Sequence, residues 1–397
     1  MQKDKLVRRS DVGISTVAIA VVVVIIIIIA AAAGFFLLTG TKTTTTTTTP
    51  VSTSSSSSTS TSTSQQTTST GTTSVKFGLS VAVTIEYLPE YIALHGGFWN
   101  QQGLNVSLVP FQGDGAQMQG VSAGEVSIGE ASYVGELLAM SKGIPIQGVS
   151  MAMQKADMIL IVANNSKYTS PSQLKGATIG ITTAGSATDM MFHLLAQHYN
   201  FTIGTDIHEL PLGGLTAQLA ALTTNKTQGF FWTYETGYQL QTAGEARILL
   251  FMDTIIPNWA ENMVYATNSL ISSNPTLVHK VLQGLYNALS YMESNRTYAT
   301  IEAENYLSLS PQAANLTINE ALSSGQFSTD GMFSSQAISG MSTARSQMLA
   351  LNLSSSLIPV NQSFTTQFVP LTPQSVSPTP IAAISHLFIA PTEDSYQ

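Results

Sequence analysis

The sequence predicts an α/β fold of two lobes, each a mostly parallel sheet flanked by helices, preceded by an N-terminal transmembrane helix. Three observations carry this expectation. Residues 14–38 form a largely apolar run of 25 residues without a charge, long enough to cross a hydrocarbon core. From residue 75 onward, short β-branched runs alternate with longer amphipathic segments, the rhythm of parallel strands covered by helices. Residues 171–189 then read as a short helix, a turn at Gly176, a buried strand over 177–181, and a glycine turn entering a helix at Gly185-Ser186.

Taken in order, residues 1–13 are a basic leader, with Lys3, Lys5, Arg8 and Arg9 against Asp4 and Asp11. Basic residues before the span place the N-terminus in the cytoplasm and the remainder outside. A secretory signal cut near Ala30–Gly34 is one fate for the span. The junction Val12-Gly13-Ile14-Ser15-Thr16 instead resembles archaeal pilin-type signals, which are cut before the apolar stretch, and this favours a retained anchor. Residues 39–74 are almost pure Thr and Ser. They lack the apolar side chains to build a core and are expected to be a tether.

The first lobe is expected over 75–163 and 263–350, with strands at 75–83, 104–109, 126–129 and 146–149. The strand at 158–163 is expected to run between lobes. The second lobe, 164–262, holds strands at 177–181, 208–210, 229–232 and 248–252, with helices at 188–198, 215–223 and from 236. Residues 263–267 cross back. An amphipathic helix spans 275–293, with Asn274 as cap and Leu277, Val281, Leu285 and Leu289 on one face. Helices within 300–350 are expected on the first lobe, and 351–397, rich in Ser and Pro, as a loose tail.

Composition narrows the function. There are no cysteines, which excludes disulfides and thiolate metal sites. Charged residues are 10% of the chain, against about 25% in an average soluble protein. Beyond residue 74 lie ten of the 15 basic and 21 of the 23 acidic residues, a net of −11, which argues against nucleic acid as a partner. Asn-X-Ser/Thr sequons at Asn105, Asn164, Asn200, Asn225, Asn295, Asn315, Asn352 and Asn361, all downstream of the span, suggest a glycosylated outer domain.

Residues 170–189, SPSQLKGATIGITTAGSATD, resemble the strand that opens the second lobe in ABC-importer substrate-binding proteins of the nitrate/sulfonate/taurine and thiamine-pyrimidine-precursor group. Four further stretches match in the same order: Gly96-Gly-Phe-Trp-Asn-Gln-Gln-Gly-Leu-Asn-Val106, Gly124-Glu-Val-Ser-Ile-Gly-Glu-Ala-Ser132, Lys142-Gly-Ile-Pro-Ile146 and Pro211-Leu-Gly-Gly214. The resemblance covers residues 75 to 300. It implies a two-lobe periplasmic-binding-protein type II fold, a small-molecule ligand held between the lobes, no cofactor, and a partner ABC permease and ATPase.

The resemblance also assigns ligand loops. In the first lobe these are Glu86-Tyr87, Gly113-Asp114-Gly115-Ala116 and Ser132-Tyr133. In the second they are Gly185-Ser186-Ala187-Thr188-Asp189 and Trp232-Thr233-Tyr234-Glu235. The return strand adds Glu261 and Asn262. The carried-over candidates are Glu86, Tyr87, Asp114, Ser132, Tyr133, Gly185, Ser186, Thr188, Trp232, Glu235 and Asn262. Tyr87, Tyr133 and Trp232 have core packing as an equal alternative, and Asp114 and Asp189 read first as caps. Thr236 stands where the family often carries proline after Glu235. The loops contain acids and no arginine, which suits a neutral or cationic, heteroaromatic ligand better than an anion.

Two other classes stay open. Fungal pyrimidine synthases share the resemblance but carry a cysteine-rich iron motif absent here, and the six histidines show no metal or triad pattern; His193 and His198 are i,i+5. A pilin-like structural surface protein would use the stem but leave the ligand loops without a purpose.

Overall fold

The computed structural model describes residues 72–379. The leader, the apolar span, most of the Ser/Thr-rich tether and residues 380–397 lie outside the described residues. Among the described residues, no helix is long and apolar enough to cross a membrane.

Two five-stranded sheets of the same topology form the core of the two lobes. In the first sheet, β1 (Thr73–Leu79) pairs in parallel with β2 (Leu104–Pro110) and β3 (Ile128–Ser132). β10 (Asn262–Thr267) then lies antiparallel between β3 and β4 (Ile146–Met151). In the second, β6 (Ala177–Ile181) pairs in parallel with β7 (Ile207–Pro211) and β8 (Gly229–Thr233). β5 (Met158–Ala163) lies antiparallel between β8 and β9 (Ala246–Phe251). Each sheet therefore takes its one antiparallel strand from the segment that has just crossed from the other lobe. β5 belongs wholly to the second sheet, a correction to its expected place between lobes.

Both faces of each sheet are covered, as parallel sheets require. Alternate side chains of one strand feed different cores. Val264 and Ala266 join one cluster and Met263 and Tyr265 the other, and Ile159 and Ile161 separate from Met158 and Leu160 in the same way. The first sheet is covered by α1 (Leu88–His95), α2 (Phe98–Gln101), α3 (Asp114–Ser122) and α4 (Tyr133–Ser141). The second is covered by α5 (Ala187–His198), α6 (Leu215–Thr223) and α7 (Tyr234–Ala243). α8 (Asn268–Ser273) leads into the long α9 (Pro275–Ser294), capped by Asn274 Oδ1 accepting from Leu277 N at 3.1 Å. α9 packs on α1 and α2, where Trp99 Nε1 donates to Val281 O at 2.9 Å.

The C-terminal part departs from expectation in two places. α10 (Arg296–Leu307) touches α1, but α11 (Pro311–Ser323) packs on α7 of the second lobe, and Ser310 N donates to Gln239 Oε1. The helices after residue 300 therefore span both lobes. α12 (Ser335–Ala350) returns to α4. Residues 351–379, expected as a loose tail, are fixed against the first lobe. Arg345 donates to the Leu357 and Ile358 carbonyls, Thr365 N and Ser363 O bond to Gly148 of β4, and Phe368 and Leu371 are buried. Edge pairing and two anchoring side chains order a segment that has no periodicity of its own.

Candidate functional site

The carboxyl ends of the strands in the two sheets face each other, the position where open α/β folds place ligands. A cavity of about 30 Å³ lies between them. It is lined from the first lobe by Ser80, Val81, Thr84, Glu86, Gly113, Asp114, Ser132 and Asn262. Met158, Thr182, Ala187, Thr188, Trp232 and Thr233 line it from the second. The space is far below the roughly 300–1,000 Å³ of a small-molecule site, so a solute fits only when the lobes part. A larger, open depression of about 830 Å³ lies at the opposite strand ends of the second lobe, around Tyr168, Gly176, Thr227 and Ala246.

The loop after β2 holds the lobes together. Gln112 Oε1 accepts from Gly214 N at 2.9 Å, and Gly115 N donates to Thr183 Oγ1. Asp114 does most. Its carboxylate accepts from Ser132 N at 3.2 Å and Ser132 Oγ at 2.7 Å in its own lobe, and from Ala187 N at 3.1 Å across the cleft. Ser132 is the N-cap of α4, and Ala187 is the first residue of α5. A side-chain carboxylate thus sits where helix N-termini of both lobes would otherwise receive an anion.

Behind Asp114 lies a set of buried acids. Glu86, Asp157 and Glu261 bring carboxylate oxygens within 4.8 Å of one another, and Glu235 adjoins them. All four are at most 4% exposed. Burial raises the pKa of Glu86, and the charges of Asp157, Glu235 and Asp114 raise it further. Burial and then Glu86 and Asp114 do the same to Glu261; for Asp157 it is burial and then Glu261 and Glu235. Burial pushes Glu235 up to about 7. Both carboxylate oxygens of Glu261, one of Asp157 and one of Glu235 lack a hydrogen-bond partner, and so does the indole N–H of Trp232 on the cavity wall. Among the described residues, no Lys or Arg lines the cavity. The arrangement offers acceptors, one free donor and an aromatic face.

Of the residues assigned from sequence, Glu86, Asp114, Ser132, Thr188, Trp232 and Asn262 reach the cavity wall. Glu86 accepts from Thr84 Oγ1 at 3.2 Å, and Asn262 Nδ2 donates to Glu130 at 3.1 Å. Glu235 lies behind the wall, accepting from Thr233 Oγ1. Tyr87 and Tyr133 are core aromatics, Tyr87 bonded to Ser80 at 2.6 Å. Ser186 caps α5 and is bonded to Thr182 and Thr188, so it orders the loop without facing the cavity. Gly185 has φ +78°, and its N–H donates to Asp189 Oδ2 at 2.6 Å. Ser80, Thr84 and Thr182 were missed; their signal was position, each just past the end of a parallel strand.

Residues 84–298, more than half of the chain, match the model of the family described as NMT1/THI5 like. The chain belongs to the NMT1/THI5-like family. Among curated relatives, the riboflavin-binding protein RibY of Chloroflexus aurantiacus is 24% identical over 306 residues, covering 75% of this chain and 86% of RibY. Among solved structures, the alkanesulfonate-binding protein SsuA from Xanthomonas axonopodis pv. citri bound to MOPS aligns with TM-score 0.64 at 16% identity, over 74% of this chain and 98% of that one. The desulfurization enzyme DSZB aligns with TM-score 0.55 at 14% identity, over 75% and 97%. The family member therefore has the periplasmic-binding-protein fold, which binders and an enzyme share.

Proposed function

We propose that this chain is the extracytoplasmic solute-binding component of an ABC importer, held to the membrane by residues 14–38. It captures a small molecule between its lobes and delivers it to a permease, without bond-breaking. The ligand in this reading is a neutral or cationic heteroaromatic. The observation that carries it is Asp114, whose carboxylate occupies both helix N-termini, backed by further buried acids and no cavity Lys or Arg. A sulfonate or nitrate would find the N–H donors it needs already taken by a carboxyl group. A ring carrying N–H donors and a carbonyl acceptor would instead pair with the carboxyls and with the free Trp232 N–H. Riboflavin, for which the relative in Chloroflexus is named, is a neutral heteroaromatic of this kind.

The mechanism follows from the connections between lobes. Of the passages between lobes, those at residues 152–157 and 252–261, which link the two sheets, are bonded to each other through Ala152 N and Met153 N to Asn262 O and Glu261 N to Met153 O. They form a paired hinge. Opening breaks the Asp114–Ala187 and Gln112–Gly214 bonds, and closure on a ligand restores them. The test is thermal unfolding of the full chain with riboflavin, aminopyrimidines, taurine, alkanesulfonates and nitrate. A saturable rise in Tm with a heteroaromatic is expected. A rise with taurine or sulfonate alone would overturn the ligand class, and no rise with any of them would favour a structural surface role.

A further inference from the structure

We propose that Asp189, His193 and Glu209 form a divalent-metal site of the zinc type on the second lobe, completed by solvent. Asp189 and His193 stand i,i+4 on α5, which aims both side chains to one side of the helix. Glu209 comes from β7, where pairing with β6 sets it opposite Ile179. His193 Nε2 lies 3.4 Å from Asp189 Oδ1 and 3.9 Å from Glu209 Oε2, and all three ligand atoms fall within 4.8 Å of one another. Nitrogen and oxygen ligands at about 2.0–2.1 Å from a tetrahedral ion stand roughly 3.4 Å apart. The three atoms need to move by only a fraction of that to share one.

The second observation is the state of the oxygens. The Asp189 side chain is only 6% exposed, yet Oδ1 has no hydrogen-bond partner, and the buried Glu209 Oε2 has none either. Both face His193. Among the described residues, no Lys or Arg lies within ion-pair distance of them; Lys175 is engaged with Asp206 instead. His193 and Glu209 are 17% and 31% exposed, which leaves the remaining coordination position open to water.

The site is tied to the ligand loop. Asp189 uses Oδ2 to hold Gly185 N and Oδ1 to face the cluster. An ion would therefore fix the turn that presents the start of α5 to the cleft. The metal site itself does not depend on the identity of the cleft's ligand.

The test uses the full chain, stripped with a chelator and titrated with Zn²⁺ by calorimetry and with Co²⁺ by absorption. One equivalent is expected, with the intense Co²⁺ bands of a four- or five-coordinate nitrogen–oxygen site. His193→Ala and Glu209→Gln should each weaken Zn²⁺ binding by more than about 100-fold, beyond the 10–100-fold lost with a merely supporting group. Glu209→Gln keeps the side chain's shape, and metal-free melting of both variants verifies that they fold. Absence of saturable uptake would overturn the proposal. So would uptake that survives both substitutions, and its loss in Asp157→Asn would then place the ion among the cleft acids.

Discussion

Replacing Glu235 by glutamine should change stability at neutral pH and leave it nearly unchanged in acid. Glu235 is 2% exposed, and burial moves its pKa from an ordinary 4.5 to about 7. Between those values the folded protein keeps a proton that the unfolded chain has released. Stability from this group is therefore complete below pH 4.5 and is lost as pH rises through 7. Moving the pKa from 4.5 to about 7 corresponds to about 3 kcal/mol. Glutamine is neutral throughout and still accepts from Thr233, so it escapes the loss. Other raised acids, Glu86, Asp157 and Glu261, act in the same direction, so the difference between variant and wild type is the quantity to read. Thermal unfolding by circular dichroism at pH 4.5 and 8 should show equal Tm in acid. At pH 8 the variant should melt about 6 °C higher, taking about 2 °C per kcal/mol for a body of this size. An equal difference at both pH values would refute the argument that Glu235 is protonated in the fold.

Trp232→Phe removes a buried N–H that has no partner, so ligand-free stability should hold or rise, while affinity for a heteroaromatic carrying an acceptor falls by about tenfold; calorimetry with melting curves separates the two effects. Asp114→Ala deletes the carboxylate that bonds Ala187 N across the cleft, and small-angle scattering should report a larger radius of gyration for the ligand-free chain. An unchanged radius would show that the latch lies elsewhere. Binding of a cationic ligand should release protons from the cleft acids, so its affinity should rise with pH, and heats measured in buffers of different ionisation enthalpy should differ. Gly185→Ala places a methyl at φ +78° and 2.5 Å from Leu138 Cδ2 and should cost roughly 1–3 kcal/mol, read from the denaturant midpoint.

Elements with a clear hydrophobic period were legible at their boundaries. β6 is found at 177–181 and α6 at 215–223, as read from sequence. α7 starts at Tyr234, earlier than residue 236, directly after Thr233, an extended N-cap at the end of β8. Residues 351–379 have no period, and their order comes from Gly148, Asp330 and Arg345, partners distant in sequence. The same limit applies to the site. Loop positions at strand ends located Asp114, Ser132, Thr188 and Trp232. The convergence of Glu86, Asp157 and Glu261 depends on the hinge, which no local pattern encodes. Asp189 and His193 are readable as i,i+4, but Glu209 joins them only through the β6–β7 register.

The exchange of antiparallel strands between the sheets sets an order of assembly during synthesis. Strands β5 to β9 are contiguous in the chain and complete the second sheet by themselves. The first sheet has a gap between β3 and β4 that only β10 fills, and within that sheet β4 has no other neighbour. A nascent chain released as far as Phe251 can therefore close the second sheet, while the first still has a gap between β3 and β4. The lobe whose strands are synthesised first is the last to be finished. A chaperone guarding the edges of that gap would be needed only until Thr267 emerges.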